Sequence, residues 1–239
     1  MSRIIACGDS FVAGDQDTTS TPDHSEYLKN QVSFVSLIAK KLNCDLINLS
    51  ERGNSNYKSI DSLLEFMNEE GLCKGDIILF GFTSVLRDRN NIKSVERDEN
   101  YDWHPIVDIR IRDKGYLELF DLFYMLSVLE TISKKYNVPV IKFNAFDNPL
   151  LDTEGGIYNN KLDLNFENFI GWDLQANTCM DILNDTWGFP TKRNKANHSR
   201  FITPAGYEKY YTVYKHPSIL GHEKIANWFL TNIDWKKFL

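Results

Sequence analysis

Four short apolar runs alternate with segments of helical periodicity, and this alternation constrains the fold more than any other feature of the chain. The runs are bounded by polar or turn residues and predict strands over Arg3–Cys7, Asp45–Leu49, Asp76–Phe82 and Pro139–Phe143. Apolar residues recurring every three or four positions predict helices over Gln31–Leu42, Tyr57–Glu70, Glu118–Tyr136 and about Ser218–Leu230, the last with Ser218 as N-cap. Successive strands are thus joined by connections long enough to hold a helix. This alternation predicts a doubly wound α/β fold, a three-layer α/β/α sandwich with a mostly parallel sheet.

Two long segments depart from this alternation. One, around 87–115, is rich in charge, and the other, around 144–214, is mixed aromatic and polar with no clear period. Long loops in compact domains are commonly functional. We therefore expect the 239 residues to form a single domain, 1–239, in which both segments are insertions that shape a site.

The composition argues against several classes of protein. A net charge of −6 and a pI near 5.4 argue against nucleic-acid binding, which needs a basic face. No long apolar run and no basic leader is visible, so we expect neither a membrane span nor a signal peptide. The four cysteines are scattered and predict free thiols and a cytoplasmic location. No metal-ligand spacing and no phosphate-binding loop is present, so we predict no metal and no cofactor. The oligomeric state stays open.

A serine and a histidine occupy positions that can converge at one edge of the predicted sheet. Gly8-Asp9-Ser10 follows the first strand, and His216 directly precedes the last helix. Functional groups in such folds gather at the carboxyl ends of the strands. Because a serine nucleophile needs a base, we interpret Ser10 and His216 as that pair. The alternative is that Asp9 and Ser10 form an ordinary Asx turn or helix cap. His222, inside the last helix, is interpreted as a packing or capping residue.

These segments resemble the SGNH (GDSL-like) hydrolase family. Gly8-Asp9-Ser10 matches its first block, Gly53 the glycine of its second block, and His216 the histidine of its Asp-x-x-His block, followed by the typical Pro-Ser-x-x-Gly-His. The resemblance implies that Ser10 attacks an ester and His216 is the general base. It also implies an oxyanion hole that includes the backbone N–H groups of Ser10 and Gly53, and a small acyl ester of a carbohydrate or similar polar molecule as substrate.

Two residues depart from the family pattern. Thr83 stands where the third block has an asparagine that donates to the oxyanion, and its hydroxyl is one donor on a shorter arm. Asn56 is a candidate substitute donor or, alternatively, the N-cap of the helix over Tyr57–Glu70. Val213 stands where the family has the aspartate that orients the histidine. A backbone carbonyl or a carboxylate from segment 144–214 could orient His216 instead.

Two further side chains are candidate substrate contacts. Arg87, four residues after Thr83, could bind an anionic group or pair with Asp88 or Glu51. Asp9, beside the nucleophile, is the other candidate. The sequence thus predicts a serine ester hydrolase whose partner is a small-molecule or carbohydrate ester. One alternative is a carbohydrate O-acyltransferase. Another is a catalytically degenerate binding protein with an aromatic stacking surface from Trp172, Trp187, Phe189, Tyr207, Tyr210 and Tyr211.

Overall fold

The four apolar runs are parallel strands of one sheet, and each end lies within one residue of its predicted position. The computed structural model describes residues 2–15, 27–83, 124–145, 168–170, 178–185, 187, 205–212 and 216–239. The strands in these ranges are β1 (Arg3–Cys7), β2 (Asp45–Asn48), β3 (Ile77–Phe82), β4 (Val140–Asn144) and β5 (Phe169–Ile170). All pair in parallel, which confirms the predicted doubly wound sheet.

The strand order places a topological switch point beside β1. Across the described residues the order is β2-β1-β3-β4-β5, so the chain leaves β1 for one side to form β2 and then crosses to the other side to form β3. Ligands in such sheets bind in the crevice outside the carboxyl ends of the strands at that point. Because Ser10 follows β1 after two residues, the fold places it at the carboxyl edge of the sheet, beside the switch point.

Helices cover both faces of the sheet. They are α1 (Ser10–Ala13), α2 (Phe34–Leu42), α3 (Asn56–Glu69), α4 (124–136), α5 (Cys179–Leu183) and α6 (Ile219–Asn232), with a π-turn at Leu28–Val32 and 3₁₀ turns at Glu208–Tyr210 and Trp235–Lys237. Buried side chains of α2 and α6 pack on one face, and those of α3 and α4 pack on the other. Alternate residues of β3 contribute to the two cores, since successive strand side chains point to opposite faces. This arrangement is the three-layer α/β/α sandwich.

Helix starts follow their capping residues. Ser218 caps α6, as predicted, by accepting a hydrogen bond from the Gly221 N–H at 3.2 Å. Helix α2 begins three residues later than its periodicity indicates, because Ser33 caps it by accepting from the Ser36 N–H at 3.2 Å. The preceding residues instead form the π-turn.

The two predicted insertions are described to different extents. Segment 87–115 lies outside the described residues. Within segment 144–214, the structure describes β5, α5 and the 3₁₀ turn at Glu208–Tyr210, none of which the sequence predicted. None of the helices in the described ranges combines the length and the apolarity needed to cross a bilayer.

Candidate active site

Ser10 is the first residue of α1, a single helical turn that directly follows β1. The Asp9 carboxylate caps this turn by accepting a hydrogen bond from the Phe11 N–H at 3.0 Å. Gly14 ends the turn in the left-handed conformation, with φ of +79°. The capping role that the sequence offered as an alternative is therefore present, and it positions Ser10 at the carboxyl edge of the sheet.

Two glycines let α1 approach the sheet closely. A Cβ atom at Gly8 would overlap the Val12 side chain, and one at Gly81 would lie 2.6 Å from the same Val12 Cγ2. Val12 is fully buried. Its packing against both β1 and β3 fixes the distance between Ser10 and the ends of these strands.

The structure brings Ser10 and His216 together. His216 Nε2 lies 2.9 Å from Ser10 Oγ, a hydrogen-bonding distance at which a base can take the hydroxyl proton. The imidazole also packs against Phe11, with ring centroids 5.9 Å apart and planes inclined by 59°. Ser10 is 2% exposed and His216 is partly exposed, so the hydroxyl lies beneath the surface with the imidazole beside it.

The backbone of His216 is held by Thr212. The Thr212 N–H donates to the His216 carbonyl at 2.8 Å, and the His216 N–H donates to Thr212 Oγ1 at 3.2 Å. This contact could not be predicted from the sequence, because an isolated threonine four residues before a histidine carries no recognisable pattern. Val213, whose identity raised the question of what orients the imidazole, lies outside the described residues.

The segment after β2 packs against the end of β1. The Gly8 carbonyl accepts hydrogen bonds from Asn54 Nδ2 at 3.3 Å, from Ser59 Oγ at 3.4 Å and from the Glu51 N–H at 3.3 Å. Gly53 lies in this segment in the left-handed conformation, with φ of +77°. Asn54 was not predicted as a site residue, although it directly follows Gly53, which was.

The sequence offered two alternatives for Asn56, an oxyanion donor or the N-cap of α3. The N-cap prediction is wrong, because Ser55 caps α3 by accepting from the Lys58 N–H at 3.2 Å. The Asn56 side chain instead bonds the backbone of Thr83 at the end of β3. The Thr83 N–H donates to Asn56 Oδ1 at 2.8 Å, and Asn56 Nδ2 donates to the Thr83 carbonyl at 3.1 Å.

Asp9, one of the two predicted substrate contacts, is fully buried. Its carboxylate caps α1 by accepting a hydrogen bond from the Phe11 N–H, and a contact with substrate stays a prediction. Arg87, the other predicted contact, lies outside the described residues, as does Asp88. Glu51, one of its possible partners, pairs with Lys58 at 3.0 Å.

His222 is a second histidine close to the site, and it is held neutral. It is fully buried, and its Nδ1 accepts a hydrogen bond from the Phe34 N–H at the start of α2, at 3.3 Å. Burial, and to a smaller extent the charge of His216, lowers the pKa of His222 to about 3. This contact is the packing and capping role that the sequence indicated.

Because the pKa of His222 is lowered on folding, the stability of the protein should fall in mild acid. As the pH drops below 6.5, the unfolded chain protonates this histidine while the folded chain does not. The free energy of unfolding should therefore decrease, by about 2 kcal/mol from this group at pH 5. Chemical denaturation at a series of pH values measures it. A His222→Asn variant, which keeps an acceptor for the Phe34 N–H, should lose this part of the pH dependence, and an unchanged dependence would contradict the assignment.

The aromatic residues of segment 144–214 that the structure describes are used in internal packing. Trp187 packs against Trp228 with centroids 4.2 Å apart. Lys224 Nζ lies 5.3 Å from the Tyr207 ring centroid and 4.4 Å from that of Tyr210, within reach of a cation–π interaction. Tyr211 is 9% exposed. These rings join the segment to α6; Trp172 and Phe189 lie outside the described residues.

The sequence matches no model of a known protein family and no curated protein. Among solved structures, the chain is similar to a member of the lipolytic protein G-D-S-L family from Veillonella parvula DSM 2008, with 12% identity, a TM-score of 0.41 and 98% of each chain covered. It is also similar to a carbohydrate esterase whose active site is described as displaying divergent catalytic and non-catalytic binding functions, with 18% identity and a TM-score of 0.46. That alignment covers 99% of this chain and 65% of the esterase. These likenesses concern the fold, so any activity has to be argued from the site.

Proposed function

We propose that the protein is a serine ester hydrolase, with Ser10 as the nucleophile and His216 as the general base. The observation that carries this proposal is the 2.9 Å contact between Ser10 Oγ and His216 Nε2. The two residues are 206 positions apart in sequence, and they meet at the switch point of the sheet. A serine within hydrogen-bond reach of an imidazole is the arrangement that activates a hydroxyl for attack on a carbonyl.

The proposed reaction has two steps. First, His216 Nε2 takes the Ser10 proton as Oγ bonds to the ester carbonyl carbon, and the imidazolium then protonates the leaving alcohol. The product of this step is an acyl group on Ser10. Water then attacks the acyl-enzyme with His216 again acting as base, and the carboxylic acid leaves as Ser10 recovers its proton.

The negative charge of each tetrahedral intermediate needs donors. We propose the N–H groups of Ser10 and Gly53 together with the Thr83 hydroxyl. The support is positional: Ser10 follows β1, Gly53 follows β2 and Thr83 follows β3, all at the carboxyl edge of the sheet. Donors fixed before the reaction stabilise the developing charge without reorganisation.

We further propose that the substrate is a small acyl ester, with a carbohydrate as the alcohol. This part of the proposal rests on the resemblance of the segments around Ser10, Gly53 and His216 to the SGNH family. A panel of acetylated sugars and 4-nitrophenyl acetate would compare the two kinds of alcohol directly.

A fluorophosphonate probe tests the proposed nucleophile. The folded protein should be labelled, and mass spectrometry of the digest should place the label on Ser10, because the probe reacts with activated serines. Heat-denatured protein and a Ser10→Ala variant should remain unlabelled. If the folded wild-type protein is not labelled, the hydrolase proposal is wrong, and a protein that binds a ligand without turnover becomes the better interpretation.

A further inference from the structure

Asn56 holds Thr83 by both polar atoms of its backbone. The Thr83 N–H donates to Oδ1 at 2.8 Å, and Nδ2 donates to the Thr83 carbonyl at 3.1 Å. Both residues are 3% exposed. The side-chain amide of Asn56 thus pairs with the Thr83 backbone as a neighbouring strand would. It fixes the position of Thr83, which directly follows β3.

The side-chain hydroxyl of Thr83 takes no part in these two hydrogen bonds. Thr83 Oγ1 is buried and has no hydrogen-bond partner among the residues that the structure describes. A buried hydroxyl without a partner costs about 1–3 kcal/mol. A hydrogen bond to an atom of a bound molecule would offset this cost, so the hydroxyl is suited to a ligand.

The sheet register places Thr83 at the same edge of the sheet as the proposed nucleophile. Cys7 of β1 pairs with Phe80 of β3. Ser10 lies three residues after Cys7, and Thr83 lies three residues after Phe80. Alternate residues of a strand share a face, and Gly81, two residues before Thr83, is in contact with α1 through Val12. Because Thr83 directly follows β3, we expect its side chain to lie on the face of the sheet where α1 lies.

We propose that Asn56 is a positioning residue that orients Thr83 so that its hydroxyl donates to the oxyanion formed at Ser10. This inference rests on the proposed function and replaces the expectation that Asn56 is itself a donor. The threonine arm is shorter than that of an asparagine, so its hydroxyl can reach the oxyanion only if its backbone is placed accurately. The two-point hold by Asn56 supplies that placement.

Four variants test the role of the hydroxyl and of its support, with 4-nitrophenyl acetate as the substrate. Thr83→Val, which keeps the shape and removes the hydroxyl, should lower kcat by about 10²-fold with a smaller change in KM. Thr83→Ser should restore most of the rate. Asn56→Asp, which keeps the acceptor and loses the donor, should lower kcat by about tenfold. Ser55→Ala is the matched control, because it removes the hydroxyl that caps α3 by accepting from the Lys58 N–H and leaves the Asn56 side chain in place.

The decisive measurement is the double variant Asn56→Asp/Thr83→Val. If Asn56 acts through the hydroxyl, adding Asn56→Asp to Thr83→Val should cost little more, since residues that act as a unit are non-additive. A full additional loss would show that Asn56 only supports the fold, and the inference would be wrong. A wild-type rate in Thr83→Val overturns it as well, whether or not the Asn56 variant folds. An unlabelled, inactive wild-type protein would remove the proposed function together with this inference.

Discussion

His216→Ala should lower kcat/KM for 4-nitrophenyl acetate by about 10²–10⁴-fold, the usual contribution of a positioned general base. The imidazole Nε2 is the atom 2.9 Å from Ser10 Oγ, and the substitution removes it. The two hydrogen bonds to Thr212 use the backbone N–H and carbonyl of residue 216. The alanine variant keeps both, so the chain should retain its fold.

A control variant at a second histidine, His222, and a second measurement make this test more specific. His222→Asn, assayed at pH 8, where protonation of His222 no longer affects stability, should keep an activity near that of the wild type. His216→Ala should lose fluorophosphonate labelling in parallel with hydrolysis. A loss of less than about tenfold in His216→Ala would show that another group takes the serine proton.

Arg3→Met should lower the free energy of unfolding by about 3–5 kcal/mol. Arg3 donates two parallel hydrogen bonds to Asp76, from Nε at 2.9 Å and from Nη2 at 2.7 Å, and the Asp76 side chain is only 1% exposed. Removal of the guanidinium leaves this carboxylate buried, with the Cys73 N–H as its remaining described donor. Denaturant unfolding of the two proteins at pH 7 measures the difference.

A double variant separates the buried charge from the loss of packing. Arg3→Met/Asp76→Leu should recover part of the stability, because it also removes the uncompensated charge. Both residues lie at the amino edge of the sheet, opposite Ser10, so labelling per folded molecule should equal that of the wild type. If the double variant is less stable than Arg3→Met, the buried carboxylate is not the source of the loss.

Strand positions were predictable because hydrophobic runs of buried parallel strands carry a strong local signal. β1 matches at both ends, since Ile4 and Ile5 are fully buried and Gly8 interrupts the apolar pattern. β5 and α5 were missed, because two and five residues are too short to show a period. Their positions depend on pairing with β4 and packing against α6, which are tertiary contacts.

The residues of the candidate site whose type indicates their chemistry could be predicted from the sequence. Those whose role depends on the geometry of the folded chain could not. Ser10 and His216 could be found because a serine after β1 and a histidine before α6 must come to the same edge. The roles of Asn54 and Asn56 could not be read in this way, because an amide can bond the Gly8 carbonyl or the Thr83 backbone only once the strands are aligned. The burial of Asp9 likewise follows from the close contact between α1 and the sheet.

The four free thiols differ in their accessibility, and this difference gives a route to attaching the protein to a surface or a dye. Cys7 and Cys179 are buried, and burial raises the pKa of both well above that of an ordinary thiol. Cys44 is half-buried, whereas Cys73 is exposed in the turn before β3, at the edge opposite the crevice. A maleimide therefore reaches Cys73 first. Immobilisation through this native residue would leave every molecule with Ser10 and His216 directed away from the support.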